Sequence, residues 1–229
     1  MTTLLIATRN RHKVGEIRAI LGAQFQFLTL NDFPATPKVV EDADTFSGNA
    51  TKKAAELARW LVEKHSTFNI QHSTPNFVLA DDSGLEVDAL GGAPGVHSAR
   101  FAATDSAKSG NTPDADNNAK LLRLLQNVPP EKRTARFRCV IALVAVAGGA
   151  SVPASRLVSS LAPPTLFDGV CEGRIIFASR GKNGFGYDPL FVPAGFEQTF
   201  AELGEDVKNQ LSHRAKALEK LKHFFDKGR

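Results

Sequence analysis

Cysteine is scarce: Cys139 and Cys171 are the only two, and they form no CxxC pair. A disulfide scaffold is excluded, and two buried thiols are expected instead. Long apolar runs are missing too. The longest, Val140 to Ala147, falls far short of the roughly 20 residues a bilayer-spanning helix needs. No basic segment precedes the short apolar stretch in Met1-Thr-Thr-Leu-Leu-Ile-Ala-Thr8. That stretch reads as a first strand rather than a signal peptide, which puts the protein in the cytosol. Phe occurs 16 times against one Tyr and one Trp, and no basic tract reaches five residues. Stacking platforms interleaved with Arg and Lys are therefore not evident. The six histidines, His12, His65, His72, His97, His213 and His223, are dispersed and make no HExxH. Zinc spacing is absent. GxSxG, GxGxxG and a glycine-rich GKS or GKT run are absent as well, which argues against an α/β hydrolase, a dinucleotide oxidoreductase and a P-loop NTPase.

What is present suits a globular protein. With 229 residues and 42% hydrophobic content, the chain can build one core, or one core extended into two lobes that share a sheet. A single domain over residues 1–229 is expected. The net charge of +4 and pI near 9.1 suit an anionic ligand, either nucleic acid or a polyphosphate.

Hydrophobic periodicity lays out the elements. Thr3 to Ala7 reads as a strand, followed by a helix carrying Val14, Ile17, Ile20 and Leu21. Phe25 to Leu30 is a second strand, and Phe46, Ala50, Ala54, Leu57 and Leu61 mark one face of a second helix. His65 to Asn76 reads as a loop before the strand Phe77 to Ala80. Asp81-Asp82-Ser83-Gly84 is expected to interrupt that strand, leaving the carboxylates at a strand end, with a sharp turn at Gly91 to Gly95. Ala103 to Asp116 reads as a loop, ahead of a helix with Ala119, Leu122 and Leu125 that Pro129-Pro130 stops. Thr134 to Val146 is the longest strand candidate, closed by Gly148-Gly149. Further strands are expected at Glu172 to Ala178 and Leu190 to Val192, and a last helix carries Leu211, Ala215, Leu218 and Phe225. Alternating strands and helices with some antiparallel pairing give an α/β fold with a mixed sheet.

Five segments carry chemistry. Thr8-Arg9-Asn10-Arg11-His12-Lys13 lies where a strand gives way to a helix, a position at which backbone N–H groups and the helix dipole favour an anion. Thr and Asn are equally ordinary N-caps. Asp81-Asp82 point to opposite sides of an extended chain, so one of them faces inward or into a cleft and needs compensation, which a hard cation with oxygen ligands supplies. The same pair could cap a turn with Ser83-Gly84. Glu41 and Asp42 could complete the metal set or cap the second helix. Phe185-Gly186-Tyr187-Asp188 offers rings for a purine face, worth about 1–3 kcal/mol per stacked base. Ser212 as an N-cap would set His213 and Arg214 on a first helical turn, both as donors.

The ordered set Thr8-x-Asn10-x-x-Lys13, Ala80-Asp-Asp-Ser-Gly-Leu85, Gly91-Gly-Ala-Pro-Gly95, Ser98-Ala-Arg100, Gly184-Phe-Gly-Tyr-Asp-Pro189 and Ser212-His-Arg214 resembles the inosine triphosphate pyrophosphatase family, which hydrolyses non-canonical purine nucleoside triphosphates such as ITP, dITP and XTP. The resemblance implies an elongated mixed central sheet flanked by helices, two lobes with a cleft between them, and a homodimer that uses Mg²⁺ and engages neither nucleic acid nor membrane. It also implies roles. Thr8, Arg9, Asn10, Arg11, His12 and Lys13 would hold the triphosphate, with Lys208 as a further substrate contact. Asp82 would be proton acceptor and metal ligand, assisted by Glu41. Ser83, Phe185, Gly186, Tyr187, Asp188, His213 and Arg214 would bind nucleoside and base. The chain departs from the family pattern at Gly48, where an acid is usual, and at Ala43, where glycine is usual. Two other readings remain: a pyrophosphatase for a different modified nucleotide, and a non-catalytic nucleotide- or nucleic-acid-binding protein.

Overall fold

In a computed structural model of the chain, residues 1–64, 75–105, 110–146 and 162–227 are described. The expected loop at 65–76 lies mostly outside these residues, as do Gly148-Gly149 and part of the expected loop at 103–116. The elements run β1 (Thr2–Ile6), α1 (Arg11–Leu21), β2 (Phe25–Thr29), α2 (Phe46–Lys64), β3 (Phe77–Val87), α3 (Asp114–Leu124), β4 (Thr134–Ala145), β5 (Thr165–Ile175), β6 (Phe191–Pro193), α4 (Phe200–Leu211) and α5 (His213–Lys227). A six-stranded sheet has the order β2-β1-β3-β4-β5-β6. β1 pairs in parallel with β2 and β3, whereas β5 and β6 are antiparallel. Val146 N–H donates to Asn76 O, and Ile175 N–H to Arg133 O. Each of these bonds joins the end of one strand to the start of its neighbour, so β3–β4 and β4–β5 are antiparallel as well. The mixed sheet expected from the sequence is present.

The chain divides into two compact units. The first comprises Met1–Asp82, Val140–Phe167 and Leu218–Arg229, and the second Ser83–Cys139 and Asp168–Ala217. In the first, Leu4, Leu5 and Ile6 of β1 are all buried. An unbroken apolar run is what a parallel strand between two neighbours requires. On α2 the residues Phe46, Ala50, Ala54, Leu57 and Leu61 are buried, as their 3.6-residue spacing predicts. The second unit is built on Leu85, Val87, Phe101, Leu121, Leu125, Phe137, Ile175, Leu190, Phe191 and Phe200, each contributing about 1.5–3 kcal/mol through burial. Cys139 and Cys171 are buried thiols. No helix of the described residues is long and apolar enough to cross a membrane.

Several boundaries differ from the sequence expectation, and each has a local cause. β3 does not break at Asp81: it continues through Asp82, Ser83 and Gly84 to Val87, so the carboxylates sit in mid-strand. A Cβ on Gly84 would come within 2.4 Å of Ser98 Oγ; the glycine admits a neighbour rather than a turn. β5 begins seven residues before its expected start and ends at Ile175. Asp168 and Gly169 disguise its first half, and a Cβ on Gly169 would meet His213 O at 2.0 Å. On α3 the deeply buried residue is Leu121, with Leu125 just beyond the helix, while Ala119 is exposed. The last expected helix is two. α4 begins with a capping box, in which Thr199 Oγ1 accepts from Glu202 N–H and Glu202 Oε2 from Thr199 N–H, and it kinks at Gly204 (φ 82°).

Candidate active site

In the first unit, polar side chains gather around the first half of β3. Asn10 caps α1, its side-chain oxygen accepting from His12 N–H at 3.0 Å and Lys13 N–H at 3.2 Å. Arg11, His12 and Lys13 thus occupy the first helical turn, where no acidic residue offsets them. Cations at a helix N-terminus oppose the dipole by about 0.3–1 kcal/mol each, an arrangement that an incoming anion would reverse. Thr8 is half-buried, and its hydroxyl accepts from Asn10 N–H at 3.2 Å. Arg9, Asn10, Arg11 and His12 are exposed, with Arg9 donating to Thr36 Oγ1 at 3.2 Å. Lys13 reaches across to β3 and pairs with Asp81, whose side chain is fully buried, at 2.5 Å.

Both adjacent carboxylates are buried, Asp81 at 1% and Asp82 at 7% exposure. Asp82 differs in that its Oδ2 has no hydrogen-bond partner. Burial pushes its carboxyl up to about 6, against the opposing pull of Lys13 and Lys53, while Glu41 adds to the rise. Asn49 is 1% exposed, and its oxygen accepts from Ala43 N–H at 3.0 Å. Its amide nitrogen, close enough to Asp82 to favour the charged carboxylate, makes no hydrogen bond of its own.

Lys53 was not singled out in the sequence. It is buried on α2, donating to Glu41 Oε2 at 3.0 Å and to Asp81 O at 2.9 Å. The signal was available: position 53 is three residues after Ala50 and seven after Phe46, on the apolar stripe, and a charged residue there needs a partner inside. Gly48 sits nearby, and a Cβ on it would come within 2.7 Å of Ala43 Cβ. The two departures from the family pattern are therefore neighbours in space, with Ala43 filling room that Gly48 leaves.

The second unit holds the other expected residues. Arg214, 1% exposed, donates to Ser83 Oγ at 2.9 Å. His213, 4% exposed, stacks on Phe137 with ring centroids 4.8 Å apart and planes at 13°. Ser212 is the cap the sequence suggested, its hydroxyl accepting from Ala215 N–H at 3.2 Å. Asp188 and Lys208 form a buried pair at 2.6 Å. Asp188 Oδ2 also accepts Phe185 N–H at 2.8 Å, and Lys208 Nζ lies 4.4 Å from the centre of the Phe185 ring. Gly184 is obligatory beside them, since a Cβ there would sit 2.2 Å from Asp188 Oδ2. Tyr187 is buried, with its hydroxyl donating to Ser98 O at 2.9 Å.

The first set thus joins cations to an unsatisfied carboxylate, and the second joins aromatic rings to buried donors. Asp82 belongs to one and Ser83 to the other, a single peptide bond apart on β3. Comparison with known proteins gives the same direction. Residues 4–224 match the Ham1 family. The chain is similar to a dITP/XTP pyrophosphatase of Desulforamulus reducens, with 43% identity over 225 residues, 98% of this chain and 96% of that protein. It is similar in structure to the Ham1 protein of Staphylococcus aureus, with a TM-score of 0.75 and 31% identity over the whole of both chains. A HAM1 protein from Coxiella burnetii matches with a TM-score of 0.75 and 34% identity over 99% of this chain and 100% of that one. Alike in sequence and in fold over nearly its full length, the chain belongs to the Ham1 family.

Proposed function

We propose that the protein is a nucleoside-triphosphate pyrophosphatase that hydrolyses ITP, dITP and XTP to the monophosphate and pyrophosphate. Water attacks the innermost phosphorus, the bond to the bridging oxygen breaks, and pyrophosphate leaves. The observation that carries this reading is the buried Asp82 carboxylate, with one oxygen unpartnered and a titration point near 6. Ionised at neutral pH yet poorly compensated, it is suited to orient a water molecule and accept its proton. Lys13 and the first turn of α1, with Thr8, Arg9, Asn10, Arg11 and His12, hold the phosphates, and Lys53 adds buried positive charge.

Mg²⁺ fits the residues present. Among the described residues no three of His, Cys, Asp and Glu converge as a metal cluster. Mg²⁺ commonly takes only one or two carboxylates, with water and substrate phosphates completing its shell. Asp82 and Glu41 would supply those two: Asp82 Oδ2 lacks any other partner, and Glu41 would share its carboxylate between the ion and Lys53. When bound, the ion supplies charge for the leaving pyrophosphate.

Ser83, the Phe185–Asp188 loop, His213 and Arg214 recognise nucleoside and base. Donors facing position 6 of the purine pair with a keto oxygen and are left unpaired by an amino group, a mismatch worth about 10⁴-fold. We read residues 1–229 as one catalytic domain, acting in the cytosol as a homodimer on free nucleotides rather than on nucleic acid. The test is product identity: with Mg²⁺, ITP should yield IMP and pyrophosphate far faster than ATP or GTP is consumed. Release of orthophosphate from ITP would overturn the proposal.

A further inference from the structure

The Phe185–Asp188 loop reads the base in the function proposed above, and the present inference rests on that reading. Its second residue, Gly186, has φ 62°, a left-handed conformation that leaves both of its polar backbone groups facing α3. Gly186 N–H donates to Asp114 Oδ2 at 2.6 Å, and Gly186 O accepts from Asn118 Nδ2 at 3.0 Å. Asp114 and Asn118 are four residues apart and lie one above the other on a single helix face. They hold the loop residue from both ends, across 72 and 68 positions of sequence. On one side of Gly186 stands Phe185, half-buried. On the other is Tyr187, anchored to Ser98 O.

Two hydrogen bonds at an exposed or half-exposed loop add little to folding, because water replaces them when they break. Their consequence lies in direction. Gly186 N–H lies in the peptide that joins it to Phe185 and Gly186 O in the peptide that joins it to Tyr187, so each of the two peptide planes is held at one atom and the rings on either side keep one orientation. We propose that Asp114 and Asn118 are positioning residues for base discrimination, fixing the Phe185–Tyr187 segment without touching the nucleotide. The Asp114 carboxylate also acts on the next residue: burial first, and Asp114's charge second, raise the Tyr187 hydroxyl above its usual range.

The experiment uses the full chain with Mg²⁺ and compares ITP with ATP in Asp114→Ala, Asn118→Asp and Asp114→Asn. The first removes the acceptor for Gly186 N–H, and the second replaces the donor to Gly186 O by an acceptor. The third retains an oxygen that can still accept. Loss of one such bond should raise KM for ITP by about tenfold in the first two variants. Their kcat for ITP and their kcat/KM for ATP should stay within about twofold, and Asp114→Asn should remain close to the unaltered protein. A parallel fall for ITP and ATP, a fall confined to kcat, or no change would overturn the inference. Tyr187 is the only tyrosine in the chain, so fluorotyrosine labelling gives one ¹⁹F resonance from the loop. It should shift or broaden in Asp114→Ala and Asn118→Asp but not in Asp114→Asn; an unmoved resonance overturns the clamp. Equal use of ITP and ATP by the unaltered protein would instead sink the functional reading, and the resonance would still decide whether α3 sets the loop.

Discussion

Two buried aspartates, one in each compact unit, have lysines nearby and end in opposite states. Asp188 is closed: one oxygen accepts both Lys208 Nζ and Phe185 N–H, and Lys208 is itself only 2% exposed. Asp82 is open, because Lys13 pairs with Asp81 one residue earlier and Lys53 with Glu41 and the Asp81 carbonyl, leaving Asp82 Oδ2 unpartnered. The same two residue types thus serve architecture where they are satisfied and reserve chemistry where they are not. A paired carboxylate has little left to offer a substrate. An unpaired one costs stability and keeps its affinity for a proton or a cation.

Three experiments sharpen or break this contrast. The largest effect is expected for Asp82→Asn, which should lower kcat for ITP hydrolysis by about 10³-fold, within the range for loss of a general base. Turnover within a few-fold of the unaltered protein would remove Asp82 from the reaction. Asp188→Asn should act on stability instead. Taking the charge partner from a buried lysine costs roughly 3–5 kcal/mol, seen as a melting temperature lower by about 10 °C in a chain of this size. Lys208→Met combined with Asp188→Asn should cost less than Asp188→Asn alone. A melting temperature that does not move would show that the pair is not what holds the loop.

The smallest effect has the opposite sign: Asp82→Asn should stabilise the protein at pH 8. The carboxyl titrates at about 6 in the folded chain against an ordinary 3.8, so the folded state binds this proton more tightly than the unfolded one. Stability is then lost as pH rises from about 4 to beyond 6, and asparagine escapes that loss. The gain should be about 2–3 kcal/mol at pH 8, about half of that at pH 5, about a fifth of it at pH 4, and nearly nothing below about pH 3. Denaturant unfolding in metal-free buffer measures it, and a gain independent of pH would mean that the desolvated charge is not its source.

Much of the fold was legible because its signals are local. β1, α1, β2 and α2 follow from runs and periods of apolar residues that need no distant partner to be read. β5 was misplaced because Gly169 looks like a break, whereas it makes room for the backbone at His213. α4 was missed because Gly204 interrupts its pattern, although Thr199-x-x-Glu202 announces its start. In the site, the motifs at Thr8 to Lys13, Asp81-Asp82, Phe185 to Asp188 and Ser212 to Arg214 stood out as residue types. Lys53 did not, since a lysine within a helix reads as a solvated charge until its neighbours are known.

By itself the sequence determined which segments become strands and helices, which ligand chemistry the motifs suit, and the family the chain resembles. Those follow from short-range sterics and from the spacing of apolar side chains. Only the tertiary structure decided that Lys13 takes Asp81 and leaves Asp82 with an unpartnered oxygen, that Lys208 closes on Asp188, and that α3 reaches Gly186. Each of these choices joins residues 20 to 72 positions apart. Burial and pairing are properties of the packed chain, and a desolvated carboxylate exists only after the surrounding groups have excluded water.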